Sequence, residues 1–182
     1  MGIWGRRLVV IDDDTDTLEI LSRLLRDHGA EVVAVDQPGA ALATVLGVLP
    51  DVLLVNTAMP GLDGVSLIRK LRSLCPERGG QIPAATLSAS AMDARELAAW
   101  RAAGFQCHIA KPFASPVMMA VVEDLAGLWV ERRVVSLARP DWPTTRERRS
   151  ERRPEPITAL QGTGGYEHRL RELALLGSRQ LG

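Results

Sequence analysis

Short apolar runs alternate with segments of helical periodicity along the first two-thirds of the chain. Each run is rich in Val, Ile or Leu and stops at polar residues or at a Gly/Pro turn, which is typical of strands. Runs without interior polar residues indicate strands buried on both faces, as in a parallel sheet covered by helices. The alternation predicts a doubly wound α/β domain with a five-stranded parallel sheet flanked by five helices. The predicted strands are 8–11, 31–35, 52–55, 82–87 and 105–109.

The helices between these strands are predicted from apolar residues spaced three and four apart. We expect Asp16 with Glu19 to cap the first helix, and Gly29 to end it. We expect Asp93 to cap the fourth helix, and the fifth to start near Ser115.

The chain changes character after about residue 134. Residues 1–129 carry 11 Lys and Arg against 15 Asp and Glu, whereas residues 130–182 carry 11 against 7. The segment 139–156 holds four prolines and many charges, so it is too polar to build a core. We therefore predict one folded domain over 1–134 and an Arg/Pro-rich linker or disordered tail over 135–182. Residues 166–176 of this tail are compatible with one short amphipathic helix.

Composition also restricts the compartment and the partners. The two cysteines, Cys75 and Cys107, are too few for a disulfide framework. No apolar run approaches the roughly 18 residues of a membrane-spanning helix, and the start shows no signal-peptide pattern. Glutamates interrupt the Arg-rich segment, which indicates a self-paired linker rather than an arm for nucleic acid. We expect a cytoplasmic protein with no membrane or nucleic-acid contact.

Polar residues stand at the carboxyl ends of four predicted strands. Asp12 and Asp13 follow the first strand, Asn56 the third, Ser88 the fourth and Lys111 the fifth. These ends share one edge of a parallel sheet, so the side chains can converge there. Paired carboxylates suit a hard cation such as Mg²⁺, and a hydroxyl and an ammonium beside it suit a phosphoryl group.

In sequence, residues 8–130 resemble the receiver domain of bacterial two-component response regulators. The resemblance is carried by Val-Ile-Asp-Asp-Asp at 10–14, Met-Pro-Gly-Leu-Asp-Gly at 59–64, the segment 82–89 and Ala-Lys-Pro-Phe at 110–113. It implies the flavodoxin-like strand order 2-1-3-4-5 and a cis Lys111–Pro112 bond.

The resemblance also implies roles for individual residues. Ser88 and Lys111 take the positions of the family's hydroxyl switch and phosphate-contacting lysine. His108 stands where the family usually has an aromatic residue that swings with the hydroxyl, and a histidine adds pH sensitivity there. The implied Mg²⁺ site, weakened in this chain, consists of Asp12, Asp13, Asn56 and the backbone of Ala58.

Asn56 departs from the family pattern, which places there the aspartate that accepts phosphate from a histidine kinase. An acyl phosphate needs a carboxylate nucleophile, and a carboxamide does not supply one. Neither Asp51, at the other end of the strand, nor Asp63, farther into the loop, is a convincing substitute. The sequence therefore predicts a non-enzymatic pseudo-receiver in phosphorelay signalling, not phosphorylatable at this position.

Such a module would act by binding a protein, either a histidine kinase or a downstream target. The expected surface is formed by the fourth helix, the fifth strand and the fifth helix, near Trp100, His108 and residues 117–119. Most of residues 117–119 are nevertheless expected to belong to the core of the fifth helix. The sequence leaves open whether the chain forms a homodimer.

Two alternatives remain at this level. The first is an ordinary phosphorylatable receiver whose aspartate was replaced by engineering. The second is a phosphatase similar to the haloacid-dehalogenase family, suggested by the aspartates after the first strand. That family's Asp-x-Asp-x-Thr spacing does not occur in residues 12–17, which makes the phosphatase the weaker alternative.

Overall fold

The computed structural model describes residues 2–88 and 94–137; for Leu62, Ala94 and residues 128–137 it describes the backbone alone. Five strands form one parallel sheet in the order β2-β1-β3-β4-β5, which confirms the predicted topology. They are β1 (Arg7–Ile11), β2 (Glu31–Val35), β3 (Val52–Asn56), β4 (Ala84–Ser88) and β5 (Cys107–Ala110). A separate antiparallel ribbon joins Ala58–Met59 to Leu62–Asp63.

Five α-helices connect or follow the strands, as predicted. They are α1 (Thr15–Asp27), α2 (Ala41–Val48), α3 (Gly64–Arg72), α4 (Ala94–Ala103) and α5 (Ser115–Leu137). Two short 3₁₀ turns, Pro38–Ala40 and Pro76–Arg78, precede α2 and follow α3.

The cap of α1 differs from the prediction. Asp14, not Asp16, is the N-cap, and its side chain accepts a hydrogen bond from the backbone N–H of Asp16. An N-cap residue has an extended backbone and its side chain accepts from a residue two or three positions later. Asp14 meets both conditions, whereas Asp16 already lies inside the helix.

The three central strands carry the core. Every residue of β3 and β4 is buried, as is all of β1 except Arg7, whereas the edge strands β2 and β5 are partly exposed. This pattern follows from a sheet covered by helices on both faces, in which only the edges reach water. The center of the sheet therefore holds the ends of β1, β3 and β4 in fixed positions.

Two strands begin two residues later and end one residue later than predicted. β4 begins at Ala84 because Pro83 has no N–H for the sheet ladder. The N–H of Ala84 donates to the side-chain oxygen of Gln106 at 2.7 Å, so pairing with β5 starts beyond that residue. As a result Ser88 is the last residue of β4 rather than a loop residue.

Several predictions fall outside the described residues. They are the tail after residue 137, the helix over 166–176 and the cap at Asp93. The domain boundary at residue 134 stays a prediction, and α5 continues past it to Leu137. No helix in the described segments is long and apolar enough to cross a membrane.

Candidate functional site

Four polar residues named from the sequence lie at the carboxyl edge of the sheet. Asn56 and Ser88 are the last residues of β3 and β4, and Asp12 and Lys111 directly follow β1 and β5. The central position of β1 and β3 brings Asp12 and Asn56 side by side. The predicted convergence of these strand ends is thus present for Asp12, Asp13, Asn56 and Lys111, which hydrogen bonds connect.

The side chain of Asp12 is fully buried, and its carboxylate accepts hydrogen bonds from three donors. Its Oδ2 accepts from the ammonium of Lys111 at 2.6 Å. Its Oδ1 accepts from the amide of Asn56 at 2.9 Å and from the backbone N–H of Asp14 at 3.2 Å. A buried carboxylate is tolerated when it is paired with a cation and hydrogen-bonded, and Asp12 satisfies both requirements.

The orientation of the Asn56 amide is fixed by its neighbours. The backbone N–H of Ala58 can only donate, and it donates to Oδ1 of Asn56 at 3.2 Å. The other end of the amide must therefore be the NH₂ group. That group donates to Asp12 Oδ1 at 2.9 Å and to Asp13 Oδ1 at 3.0 Å, so the amide nitrogen bridges the two carboxylates.

The charges of the site do not cancel. Asp12 and Asp13 contribute two negative charges and Lys111 contributes one positive charge, while Asn56 is neutral. The site therefore carries a net charge of about −1, and an aspartate at position 56 would make it about −2. The ammonium of Lys111 is already paired with Asp12, with 20% of the lysine side chain exposed.

Ser88 and Lys111 are joined through the backbone. The N–H of Lys111 donates to the carbonyl oxygen of Ser88 at 2.7 Å, which extends the pairing of β4 and β5 to the edge of the site. Ser88 is buried at the same edge. The Lys111–Pro112 peptide bond is cis, which confirms the prediction.

The loop after β3 is held by side-chain caps. Asp63 caps α3 by accepting from the N–H of Val65 at 3.0 Å and from the hydroxyl of Ser66 at 2.7 Å. The hydroxyl of Ser66 is the main reason that the pKa of Asp63 lies below its usual value. Gly64 leaves no room for a side chain, since a Cβ there would lie 2.9 Å from Cγ2 of Thr57. The position of this loop is therefore set by contacts with neighbouring residues of the chain.

His108 lies on β5, opposite Thr86 of β4, and is half-buried. Its ring meets Trp100 of α4 edge-on, with the ring centroids 5.5 Å apart and the planes at 70°. Its Nε2 is buried and has no hydrogen-bond partner among the described residues. Burial lowers the pKa of His108 below the usual 6.5.

The apolar stretch near this face belongs mainly to the core. Met118 and Met119 are buried and Val117 is half-buried, as the sequence led us to expect for α5. The exposed part of the face is formed by other residues, among them Arg101 on α4 and Ala110 at the end of β5.

The carboxylates of Asp12 and Asp13 suit a hard cation, but the N–H groups of Asn56 compete with it for them. The carboxylates of Asp12 and Asp13 both lie within 3.0 Å of the Asn56 nitrogen, so they converge on one point. In the described part of the chain they form no group of three or more acidic, His or Cys side chains able to hold a metal. Asn56 directs N–H groups toward that point, and a cation would have to displace them.

Sequence reasoning missed two features of the site. Asp14 was not singled out, although it caps α1 and donates its N–H to Asp12. The pairing of Lys111 with Asp12 was also not foreseen, because the lysine was assigned to a phosphate. The run of three aspartates was a signal for the first, since an Asp before a helical segment favours a cap.

Comparisons with known proteins identify relatives of this chain. A family model described as the response regulator receiver domain matches residues 8–123. The transcriptional regulatory protein PrrA of Mycobacterium tuberculosis is 35% identical over 125 residues, which cover 68% of this chain and 51% of PrrA. The sensor histidine kinase GacS of Pseudomonas protegens is 33% identical over 123 residues, covering 67% of this chain and 13% of GacS. The match thus spans about half the length of PrrA and a small part of GacS.

A solved structure has the same fold. It is the receiver domain of sensor histidine kinase PA1611 from Pseudomonas aeruginosa PAO1, with a magnesium ion coordinated in its active site cleft. The TM-score is 0.61 at 24% identity, and the match covers 68% of this chain and 98% of that chain.

Proposed function

This chain belongs to the family of response regulator receiver domains, and on that premise we propose that it is a receiver that does not accept phosphate at position 56. The observation that carries the proposal is the Asn56 amide, which donates to both Asp12 and Asp13. Phosphate transfer to this position needs a carboxylate oxygen as nucleophile. A neutral amide engaged with both carboxylates offers none.

The module functions in two-component signalling through protein–protein contact. Its partner is a histidine kinase or a downstream target, which agrees with the names of PrrA and GacS as regulator and kinase. The contact surface is formed by α4, β5 and α5, where Arg101 and Ala110 are exposed beside the half-buried Trp100 and His108. A homodimer through the same surface is a second arrangement of this interaction.

The proposal includes what the module does not do. It catalyses no reaction of its own, binds no nucleic acid and works in the cytoplasm. The phosphatase stays the weaker alternative, because the Asp-x-Asp-x-Thr spacing of that family does not occur in residues 12–17.

We expect the chain to bind Mg²⁺ with reduced affinity. Asp12, Asp13, Asn56 and the backbone of Ala58 would hold the ion, which supplies positive charge to the carboxylates when bound. The neutral amide removes one negative charge from the ligand set, and its N–H groups already satisfy both carboxylates. We expect the affinity for Mg²⁺ to be lower than that of an Asn56→Asp variant.

Intact-mass measurement tests the central claim. This protein, Asn56→Asp and Asn56→Ala are incubated with Mg²⁺ and acetyl phosphate under the same conditions. We expect a phosphoryl mass on Asn56→Asp alone, because only that variant restores a carboxylate beside Asp12 and Lys111. The Asn56→Ala protein is the control for phosphorylation elsewhere in the chain.

A phosphoryl mass on the unaltered protein contradicts the proposal. If Asn56→Ala gains it as well, the acceptor is another residue; if it does not, Asn56 has become an aspartate. A gain by Asn56→Asp alone also leaves the engineered-receiver alternative in place, and the natural gene sequence then decides between the two.

A further inference from the structure

α4 packs on the domain with few apolar side chains. Among its described side chains, those of residues 95–103, only Ala103 is buried, while Leu97 and Trp100 are half-buried. α1 and α3 each bury four residues. α4 has ten residues, and a helix of that length is marginal in water without tertiary contacts. The position of α4 therefore needs contacts beyond this apolar packing.

The guanidinium of Arg72, the last residue of α3, lies against the carboxyl end of α4. Its Nε and Nη2 donate to the carbonyl oxygen of Gly104 at 3.1 and 2.9 Å, and its Nη1 donates to that of Gly80 at 3.2 Å. Gly104 directly follows α4. Carbonyl groups at the carboxyl end of a helix lack partners inside the helix, and the helix dipole attracts a cation there. Arg72 therefore caps α4 from a neighbouring helix.

Arg72 and Gly104 fit closely against each other. Gly104 has a φ of +107°, which favours glycine, and a Cβ at this position would lie 2.8 Å from both Cγ and Nε of Arg72. Arg72 is half-buried, so water competes with its hydrogen bonds less than at an exposed site. The close contact thus depends on a glycine at the end of α4.

Gln106 joins the same contact to the sheet. Its Nε2 donates to the carbonyl oxygen of Gly104 at 2.9 Å, beside the two donors of Arg72. Its Oε1 accepts from the backbone N–H of Ala84 at 2.7 Å and from Nη2 of Arg72 at 3.5 Å. One hydrogen-bonded network therefore connects α3, the end of α4 and the first residues of β4 and β5, at the edge of the sheet opposite the acidic site.

We propose that Arg72 is the positioning residue of α4: together with Gln106, it fixes the carboxyl end of this helix on α3 and the sheet, where apolar packing is sparse. α4 forms part of the contact surface proposed above, so the same side chain sets the position of that part of the surface. This consequence alone rests on the proposed function; the anchoring of α4 does not.

The competing account is that Trp100 holds α4 without help from Arg72. Its ring lies 6.2 Å from the ring of Phe105 and packs against the core. On that account, loss of Arg72 lowers the stability of the whole domain but leaves the folded position of α4 unchanged. The two accounts thus differ in the structure of the folded variant.

NMR spectroscopy of the full-length protein and of Arg72→Met separates the two accounts. Methionine keeps an apolar stem but has no donor, so it removes every hydrogen bond that the arginine donates. We expect loss of the NOEs between the rings of Trp100 and Phe105, with shifted backbone resonances in α4 and at the start of β5 but not in α1 or β1. The amide hydrogens of Gly104 and Phe105, which are bonded to the carbonyl of Trp100, should exchange about ten- to a hundredfold faster, the effect of losing a charged hydrogen bond.

Arg69→Met is the matched control, because Arg69 is exposed on the same helix three residues earlier. It should leave the ring NOEs and the exchange of the Gly104 amide unchanged. Arg72→Lys keeps the charge but not the planar fork of donors, so we expect an intermediate effect. It takes the place of Arg72→Met if the methionine variant does not fold.

Unchanged ring NOEs in the folded Arg72 variant would overturn the proposal. So would exchange of the Gly104 amide that is no faster than in Arg69→Met. Neither measurement involves position 56 or a phosphodonor, so this proposal and the proposed function can fail separately.

Discussion

Lys111 balances the buried charge of Asp12 through a short ion pair. The contact is 2.6 Å long and Asp12 is fully buried, while part of the lysine reaches water. Removing one partner of such a pair leaves an uncompensated charge in the interior. The pair therefore supports the fold as well as the site, whether or not a phosphoryl group ever reaches it.

The Lys111→Gln variant should be strongly destabilised. We expect its free energy of unfolding to fall by about 3 kcal/mol, at the low end for a broken buried pair because the lysine is partly exposed. Urea unfolding measures the change. The only other lysine, Lys70, is exposed on α3, and Lys70→Gln should change stability by less than about 0.5 kcal/mol. Equal effects for the two variants would show that Asp12 does not depend on its ion pair.

At the level of elements, two helices that begin beside the site start in the same way. α1 and α3 each begin at an aspartate cap with a hydroxyl three residues later, Asp14 with Thr17 and Asp63 with Ser66. In both pairs the hydroxyl is the main cause that lowers the pKa of the aspartate. Caps of this kind fix where the loops after β1 and β3 end, and so where Asp12 and Asn56 are held.

The N-cap of α3, Asp63, should contribute to the free energy of unfolding in a pH-dependent way. Asp63→Ala should lower the free energy of unfolding by about 1 kcal/mol near neutral pH, the usual effect of losing an N-cap. Asp63→Asn keeps the acceptor oxygen and should lose much less. Because the folded pKa of Asp63 is lowered from 3.8, its ionised form stabilises the fold above that pH.

This contribution is lost as the pH falls through the lowered pKa, and Asp63→Asn should lack that part of the acid dependence. Thermal unfolding between pH 2.5 and 6 compares the variants with the unaltered protein. An unchanged acid dependence in Asp63→Asn would contradict the role given to this carboxylate.

Sequence reasoning predicted elements better than contacts. Apolar runs and helical periodicity depend on neighbours along the chain, so the strands could be predicted from them, whereas the strand order was implied by the family resemblance. The start of β4 was predicted two residues too early because Pro83, which has no N–H for the sheet ladder, was counted in the strand. The cap of α1 was misplaced because a run of aspartates offers several candidates that local pattern does not separate.

The site shows the same difference between what local sequence pattern predicts and what it does not. Its residues could be named from their positions at strand ends, since parallel strands bring those ends to one edge. Which of these side chains contact each other could not be predicted from the sequence, because those contacts depend on distances between β1, β3 and β5. The ammonium of Lys111 reaches Asp12, and the N–H of Ala58 decides which way the Asn56 amide faces.

For the whole molecule, the amide of Asn56 supplies internal hydrogen bonds at a place where a third carboxylate would need a cation. The Asn56 nitrogen lies at 2.9 and 3.0 Å from two carboxylate oxygens, where an aspartate oxygen would be repelled. The unaltered protein should therefore be stable without metal. At its sheet edge, an amide and an ammonium that belong to the chain already hydrogen-bond to the carboxylates.

The Asn56→Asp variant should be less stable than the unaltered protein in the presence of a chelator. Two hydrogen bonds of about 1 kcal/mol each are lost and a third carboxylate is added, so we expect a decrease of about 2 to 4 kcal/mol. Magnesium should restore part of this loss, because an ion that binds only the folded state stabilises it by about 1.4 kcal/mol at ten times its dissociation constant.

Melting temperatures with EDTA and across a Mg²⁺ titration measure both effects. We expect a large magnesium-dependent rise for Asn56→Asp and a small one for the unaltered protein, whose carboxylates are already satisfied. Asn56→Ala is the control that removes the amide without adding charge: it should lose stability in EDTA but respond to Mg²⁺ less than the aspartate variant. Equal melting temperatures for the unaltered and Asn56→Asp proteins in EDTA would contradict the view that the amide replaces a cation.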